Sequence, residues 1–182
     1  MRPVILSVMT SLDGMSAAPG SGFETIDWCR ADDEWLDYSV ELLDAADVLL
    51  FGWTTYEGME QYWPTAEGPV AERMNRLDKV AFSRSPRETG WQHTRVSADP
   101  VGEVTRLKEA DGNLLLILAS AGLSTTLTAH RLIDEYRLAI NPVALGGGTS
   151  MFPAGTPRIE FDLVDTRVFG SGIVELRCTP RS

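Results

Sequence analysis

The chain has 182 residues and a formal net charge of −10, with 43% hydrophobic and 23% charged residues. These values predict a globular protein with one domain over 1–182, and they argue against a nucleic-acid partner, which clustered Lys and Arg would bind. No apolar run approaches the roughly 20 residues that a membrane span requires, so no membrane partner is expected.

The first half of the chain predicts two buried strands and two helices. Residues 3–10 and 48–52 are continuous apolar runs of strand length, whereas 16–30 carries Pro, Gly and Ser and predicts a loop. A helix is predicted from Asp32, because acidic residues in its first turn precede an apolar stripe at helical spacing, Leu36, Val40, Leu43 and Ala46. A shorter helix is predicted over 55–61.

The second half alternates helices and strands up to a final hairpin. Helices are predicted over 71–78, 101–112 and 120–132, and strands over 79–85, 113–120 and 136–145. Residues 159–169 and 173–179 flank a Gly-Ser-Gly turn and predict an antiparallel hairpin. This order indicates an α/β fold with a mostly parallel central sheet and right-handed crossovers.

Three of the predicted strands end in small, hydroxyl-bearing or basic residues, at 52–55, 83–85 and 119–122. Ligands of open α/β sheets bind beyond the carboxyl ends of the strands, where loops lead into helix N-termini. Small residues there let the backbone approach a ligand, and free N–H groups attract an anion. Gly52 can instead relieve crowding, and Thr54 can be a simple N-cap. Together, the three strand ends favour a phosphate cradle for a dinucleotide.

Two glycine-containing segments are predicted to be turns. Gly146, Gly147 and Gly148 follow a strand but do not form a dinucleotide fingerprint, since Met151 stands where its third glycine would be. Asp13 lies in the sequence Ser-Leu-Asp-Gly, where a turn role is the favoured interpretation and a catalytic role the alternative.

The sequence resembles the dihydrofolate reductase-like superfamily, and most of all the branch with the reductase domain of bacterial riboflavin biosynthesis, the RibD C-terminal domain. The resemblance rests on SLDG at 11–14, ADVLLFGWTTYEGMEQYWP at 46–64, KVAFSRS at 79–85 and LIDEYRLAINPVALGGGTSMF at 132–152. These blocks occur in the family's order and cover nearly the whole chain. The resemblance implies a three-layer α/β/α architecture and NADPH as the cofactor.

The resemblance also implies which residues hold NADPH. The pyrophosphate region falls to Gly52, Trp53, Thr54 and Thr55, and the adenosine 2′-phosphate to Ser83 and Arg84. The remaining phosphates fall to Ala119, Ser120, Ala121, Gly122, Leu123 and Ser124, and the nicotinamide to backbone groups near Val8 and Met9. The chain departs from the family at Trp53, where arginine is usual, and at Ala119, where glycine is usual. Trp53 can instead stack on adenine, which leaves the charge to Arg84.

Hydride transfer needs a group that handles one proton, and dihydrofolate reductases use an acid near the start of the first helix. By this resemblance the candidates are Asp33 first, then Asp37 one turn later, with Asp13 as a third. The alternative is that Asp33 and Asp37 are charges that stabilise a helix N-terminus.

The resemblance implies an NADPH-dependent oxidoreductase of a small pyrimidine- or pterin-like heterocycle, such as 5-amino-6-(5-phosphoribosylamino)uracil, and a homodimer formed through the apolar final strands. Two alternatives stay open: a non-catalytic nucleotide- or drug-binding protein that retains the fold, and a true dihydrofolate reductase. Residues 57–64, EGMEQYWP, differ from the ribose-phosphate motif of dedicated riboflavin reductases.

The cysteines and histidines predict no metal site. Cys29 and Cys178 are too few and too far apart for a zinc site or a disulfide framework, and we expect free thiols in a reducing, cytoplasmic compartment. His93 and His130 lack ligand spacing.

Overall fold

The computed structural model describes residues 1–20 and 23–181. Its strands are β1 Val4–Thr10, β2 Met15–Ala17, β3 Ala46–Gly52, β4 Asp78–Phe82, β5 Thr94–Ser97, β6 Leu114–Leu118, β7 Glu135–Ile140, β8 Thr149–Ser150, β9 Phe161–Val168 and β10 Val174–Pro180. Its α-helices are α1 Asp33–Ala45, α2 Trp53–Tyr62, α3 Pro69–Arg76, α4 Pro100–Glu109 and α5 Ala121–Ala129, with 3-10 turns at Phe23–Ile26 and Trp63–Thr65.

Eight strands form one sheet in the order β5-β4-β3-β6-β1-β7-β10-β9. The six strands from β5 to β7 are parallel to one another, whereas β10 runs antiparallel to both β7 and β9. Strands β2 and β8 pair separately as a small antiparallel sheet. The predicted fold class, a mostly parallel α/β sheet with a C-terminal antiparallel hairpin, is confirmed.

Helices cover both faces of the sheet. On one face α4 and α5 bury Val104, Leu107, Leu123 and Leu127 against alternate residues of the central strands. On the other face α1, α2 and α3 bury Leu42, Leu43, Tyr56 and Met74 against the intervening residues. Because side chains of a strand alternate between faces, each continuous apolar strand supplies both cores.

The apolar stripe predicted for α1 is wrong at its start. Leu36 is 44% exposed, and the buried residues of the helix are Trp35, Tyr38, Leu42 and Leu43. This set has the same helical spacing, and it places two aromatic rings inward. Trp35 packs edge-on against Phe169 with ring centroids 5.1 Å apart, so the buried face includes the large aromatic side chains.

Several short elements were not predicted from the sequence. Strands β5, β2 and β8 have four, three and two residues and no apolar run. The region 16–30, predicted as a loop, contains the end of β2 and a 3-10 turn. The strand predicted over 136–145 ends at Ile140, where Asn141 turns its side chain to main-chain groups of neighbouring segments. None of the helices in residues 1–20 and 23–181 is long and apolar enough to cross a membrane.

Candidate active site

Two helix N-termini meet at the carboxyl edge of the sheet. Strands β3 and β6 are neighbours, and each leads directly into a helix, α2 after Gly52 and α5 after Ser120. The backbone N–H of Gly52 donates a hydrogen bond to Ser120 Oγ at 3.1 Å. The first and third strand ends singled out in the sequence therefore lie side by side.

The turn from β6 into α5 has a strained backbone. Ala119 and Ser120 are both in the left-handed region, with φ of 54° and 58°. Such a conformation costs a residue other than glycine about 1–3 kcal/mol and is concentrated at functional sites. Ala119 N donates to Ser7 O at 3.0 Å, and Ser124 N donates to Ser120 O at 2.9 Å. Ala119 and Ser120 thus lie between the hydrogen bond to Ser7 of β1 and the first turn of α5.

A cavity of about 410 Å³ opens between these helix N-termini. The backbone N–H groups at the start of each helix lack intrahelical partners, and the N-cap residues Gly52 and Ser120 make no side-chain cap bond. Neither helix has an acidic residue in its first turn, so the positive ends of both helix dipoles favour an anion. The cavity is lined by Ser16, Ala17, Ala18, Gly20, Thr25, Ile26, Thr54, Thr55, Gly58, Met59, Ala119, Ser120, Ala121, Gly122 and Thr149.

Among the described residues, the last backbone groups of β1 have no strand partner on the side of β6. Strand β1 pairs with β7 as far as Thr10, but its register with β6 stops at Ser7, because β6 ends and turns away. Successive residues of a strand direct their N–H and C=O groups to opposite sides. Ser7 O faces β6 and Thr10 O faces β7, so the N–H and C=O of Met9 point towards the β6 side, past the end of the ladder. Val8 is buried, and neither Val8 nor Met9 is among the residues that line the cavity.

The small β2–β8 sheet covers one side of the cavity. Asp13 joins the two loops that carry these strands, accepting hydrogen bonds from Leu145 N at 3.1 Å and Gly146 N at 2.7 Å. The Ser11 hydroxyl also donates to Asp13. That bond has the largest effect, and together with the two backbone bonds it lowers the pKa of Asp13 to about 2.

Gly148 has a φ of 126°, and a Cβ there would lie 2.0 Å from Ala17 O, so only glycine fits. The triple glycine is a turn, as predicted, and it supports the cavity wall at Thr149.

The loop after β4 carries the residues expected at the adenosine end. Ser83 Oγ donates to Ser85 O at 2.9 Å, which closes a local turn, and Arg84 is exposed. Trp53 lies outside the cavity lining and packs against Tyr56 with ring centroids 5.2 Å apart. Arg87, which sequence analysis missed, lies over the same indole ring, with its Cζ 5.1 Å from the centroid.

The acidic residues at the start of α1 divide into two groups. Asp32 accepts from Trp35 N at 2.9 Å and from Ser171 N at 2.6 Å, and these bonds lower its pKa. Glu34 accepts from Gly170 N at 3.0 Å, so both residues fasten the helix to the β9–β10 turn.

Asp33 and Asp37, the two predicted catalytic acids of this helix, are exposed and line no part of the cavity. Within the described chain, neither makes a hydrogen bond or an ion pair.

A buried carboxyl group lies on the α1 face of the sheet. Glu175 is 1% exposed, and its Oε1 accepts from the Tyr38 hydroxyl at 2.8 Å. Arg137 Nη1 in turn donates to that hydroxyl at 2.9 Å. Glu175 Oε2 is buried without a partner in the described part of the chain, and burial raises the pKa of the group. No local pattern in β10 distinguished this glutamate from a solvent-facing one.

No cluster of three or more His, Cys, Asp or Glu side chains that could hold a metal ion occurs in residues 1–20 and 23–181. Cys29 and Cys178 are free thiols, and burial raises the pKa of Cys29 to about 11. A thiol with such a pKa is protonated and unreactive at neutral pH.

The sheet order, the helices on both faces and the cleft beyond β3 and β6 define a dihydrofolate reductase-like α/β fold. Within this class the chain belongs to the RibD C-terminal domain family, whose profile matches residues 2–175. This confirms the family that the sequence blocks indicated.

Three known proteins illustrate the relationship. The uncharacterized protein YyaP of Bacillus subtilis is 32% identical over 180 residues, covering 96% of this chain and 93% of YyaP. The diaminohydroxyphosphoribosylaminopyrimidine deaminase/5-amino-6-(5-phosphoribosylamino)uracil reductase of Thermotoga maritima superposes with a TM-score of 0.70 at 17% identity, over 99% of this chain and 57% of that protein. Dihydrofolate reductase of Enterococcus faecalis, solved with NADP(H), superposes with a TM-score of 0.67 at 12% identity, over 99% and 97% of the two chains. At these low identities the two structures show a shared fold.

Proposed function

We propose that this protein is an NADPH-dependent reductase of a small heterocycle. The observation that carries the proposal is the meeting of two uncapped helix N-termini, which follow Gly52 and Ser120, at one cavity. The backbone of Met9 on the neighbouring strand β1 is open on the side of β6. The helix N-termini would hold the pyrophosphate, and the free N–H and C=O of Met9 would bind the carboxamide of the nicotinamide. NADPH would supply the hydride, and the chain would place the acceptor against it and exclude water.

The names of two structural neighbours support a proposal for the substrate class. The Thermotoga maritima relative carries an aminouracil reductase in its name, and the Enterococcus faecalis relative is a dihydrofolate reductase. We therefore propose a pyrimidine- or pterin-like acceptor with a reducible C=N or C=O bond. Binding of such a ligand without turnover is the competing function, and the fold is compatible with it.

The first experiment is a titration of the purified protein with NADPH and with NADH, followed by cofactor fluorescence. We expect saturable NADPH binding, weakened in Gly122→Leu, because the position faces the cavity and a Cβ there meets no protein atom within 4 Å. Thr126→Leu, one turn later on α5 and outside the cavity lining, is the matched control and should bind normally. If the wild type binds neither cofactor, the proposal is wrong.

A second experiment separates the reductase from a binding protein. NADPH oxidation is followed with aminopyrimidine, pterin and dihydrofolate acceptors. Turnover with one of them identifies the substrate class. Tight cofactor or acceptor binding with no oxidation of NADPH by any of these acceptors supports the non-catalytic alternative.

The proton-handling role of Asp33 or Asp37 stays a prediction. Both are exposed and unpaired within the described chain, so substitution by asparagine should leave the fold intact. Loss of a general acid lowers kcat by about 10²-fold or more, and we expect that loss in one of the two variants. Asp111→Asn, another exposed carboxylate, is the control. Unchanged kcat and pH profile in both variants would assign them to helix stabilisation instead.

We also propose a homodimer formed through β9. This edge strand exposes Leu163 and Val168 at 60% and 69%, and exposed apolar edge strands are prone to associate. Light scattering of the wild type should give the mass of two chains. Val168→Glu should shift it to one chain, whereas Leu36→Glu, an exposed leucine on α1, should not. A monomeric wild type would exclude this assembly.

A further inference from the structure

The cavity at the starts of α2 and α5 is lined by neutral side chains. Within the described chain, its lining residues are alanine, glycine, serine, threonine, isoleucine and methionine. Negative charge on a bound ligand must therefore be stabilised by backbone N–H groups and by the dipoles of the two helices. A helix dipole acts over about the first turn only, so the attraction for an anion is confined to the part of the cavity next to the two N-termini.

Further along α2 the cavity wall is apolar. Gly58 and Met59, in the second turn of the helix, line the cavity, and we call them the apolar wall. Met59 lies five residues after Thr54, or about 7–8 Å along the helix axis, and so beyond the reach of the dipole. Its thioether accepts a hydrogen bond from the indole N–H of Trp63 at 2.9 Å, which holds the side chain in position. The other large side chain of the lining, Ile26, is apolar as well.

The charged residues that adjoin these apolar positions in the sequence are acidic. Asp27 follows Ile26, and Glu57 precedes Gly58. Both carboxylates are exposed. Carboxylates so close to a cleft repel an anionic ligand and favour an uncharged one.

The segments that build the cavity contain few basic residues. Residues 3–72, which include β1, β2, β3 and α2, contain 14 Asp and Glu and a single Lys or Arg, Arg30. Arg30 is exposed and lies outside the cavity lining. Residues 109–130 and 138–157, which include α5 and β8, contain neither Lys nor Arg. A phosphate or carboxylate at the apolar wall would lose its hydration without gaining a counter-charge.

We propose that the acceptor, bound against the apolar wall, is an uncharged heterocycle without a phosphate or carboxylate group. This inference rests on the proposed cofactor function, in which the pyrophosphate of NADPH occupies both helix N-termini. In the reduction the carbon of a C=N or C=O bond gains the hydride of NADPH, the nitrogen or oxygen gains a proton, and NADP⁺ is released. The step needs no charged substituent. The acceptor therefore differs from the phosphoribosyl compound in the name of the Thermotoga maritima protein.

The test compares acceptors that share a reducible group and differ only in a phosphate. One pair is 5-amino-6-(ribosylamino)uracil and its 5′-phosphate, and the other is 6-hydroxymethyl-7,8-dihydropterin and its phosphate ester. Isothermal titration calorimetry in the presence of NADP⁺ gives the dissociation constants, and NADPH oxidation gives kcat/KM. We expect the uncharged member of each pair to bind about ten- to a hundred-fold more tightly, because the phosphate needs a charge-assisted bond that the cavity does not offer.

Three variants test where the acceptor binds. Met59→Arg places a positive charge on the apolar wall and should narrow or reverse the preference for the uncharged member. Ile26→Arg introduces the same charge at a second lining position and keeps the test available if Met59→Arg does not fold. Gln61→Arg adds the charge at an exposed position of α2 outside the cavity lining, and it should leave the preference unchanged.

The ratio of the two dissociation constants within a pair decides the outcome. Equal or tighter binding of the phosphate esters by the wild type overturns the inference, whereas NADPH oxidation with them would leave the reductase function intact. A ratio that neither Met59→Arg nor Ile26→Arg changes also overturns it, because the acceptor then binds elsewhere. Preference for the uncharged members without NADPH oxidation supports the inference and rejects the reductase. A wild type that binds none of these compounds overturns the inference.

Discussion

The backbone amide of Gly52 donates to the hydroxyl of Ser120 across 3.1 Å and so ties the start of α2 to the start of α5. A strand end that only reverses the direction of the chain would not need a hydrogen bond to the end of a second strand. The bond holds the two helix N-termini together, and the backbone of Gly52 lies close to α5, since a Cβ built there would be in van der Waals contact with Leu123 Cβ at 3.6 Å.

Substitutions at Ser120 should separate this bond from the backbone strain. Ser120→Ala removes the acceptor of a part-buried hydrogen bond and keeps a side chain at a φ of 58°, so we expect it to destabilise the protein by about 0.5–1.5 kcal/mol, the net contribution of one hydrogen bond. Ser120→Gly loses the same bond but relieves the left-handed strain. Chemical denaturation should therefore show a smaller loss for glycine than for alanine. A larger loss for glycine would contradict the strain assigned to this turn.

Gly58→Ala should raise stability while it weakens cofactor binding. Gly58 lies inside α2 and lines the cavity, and a Cβ there meets nothing within 4 Å. Alanine is favoured over glycine inside a helix by about 0.5–1 kcal/mol, whereas its methyl group takes space in the cleft. Thermal unfolding and NADPH titration measure the two effects. Thr105→Ala on α4, outside the cavity lining, should stabilise without loss of affinity. Normal NADPH affinity in Gly58→Ala would place the cofactor elsewhere.

Asp13 should make stability depend on acid pH. Its pKa falls from 3.8 to about 2 on folding, so the unfolded chain binds more protons than the folded one between these values. Its contribution is present above pH 4 and is lost as the pH falls towards 2. Asp13→Asn removes this contribution, so its free energy of unfolding should fall less steeply across that window. An identical slope in denaturation at several pH values would argue against the clasp between the two loops.

Glu175 should act in the opposite sense. Burial raises its pKa above 4.5, against the opposing effects of Tyr38, Arg137, Arg177 and Arg167. The folded protein therefore holds this proton to higher pH than the unfolded chain, and the contribution to stability is lost as the pH rises through the folded pKa. Glu175→Gln stays neutral, so its stability relative to the wild type should improve as the pH rises above 4.5. A difference that is constant with pH would show that folding does not raise the pKa of Glu175.

Local sequence patterns were sufficient for the main elements of the fold. The apolar runs that became β3 and β6 are each continuous and end in small or hydroxyl-bearing residues. A strand buried on both faces needs such a run, and small or hydroxyl-bearing residues are typical of a strand end that leads into an anion-binding helix N-terminus. Both features are encoded within a few residues, so the parallel sheet and the strand ends at Gly52 and Ala119 were predictable.

Contacts between distant segments decided the rest. The roof of the cleft pairs Met15 with Ser150, and the bond from Tyr38 to Glu175 joins residues 137 positions apart. Neither pair shows a periodic pattern in the sequence. Strands of two or three residues and single polar side chains are stabilised by the residues they contact in the folded chain. The placement of Arg87 on Trp53 is of the same kind. The sequence alone determined the sheet, the helices and the chemistry available at the strand ends. The tertiary structure decided which side chains face the cleft, since that depends on residues brought together only after the chain has folded.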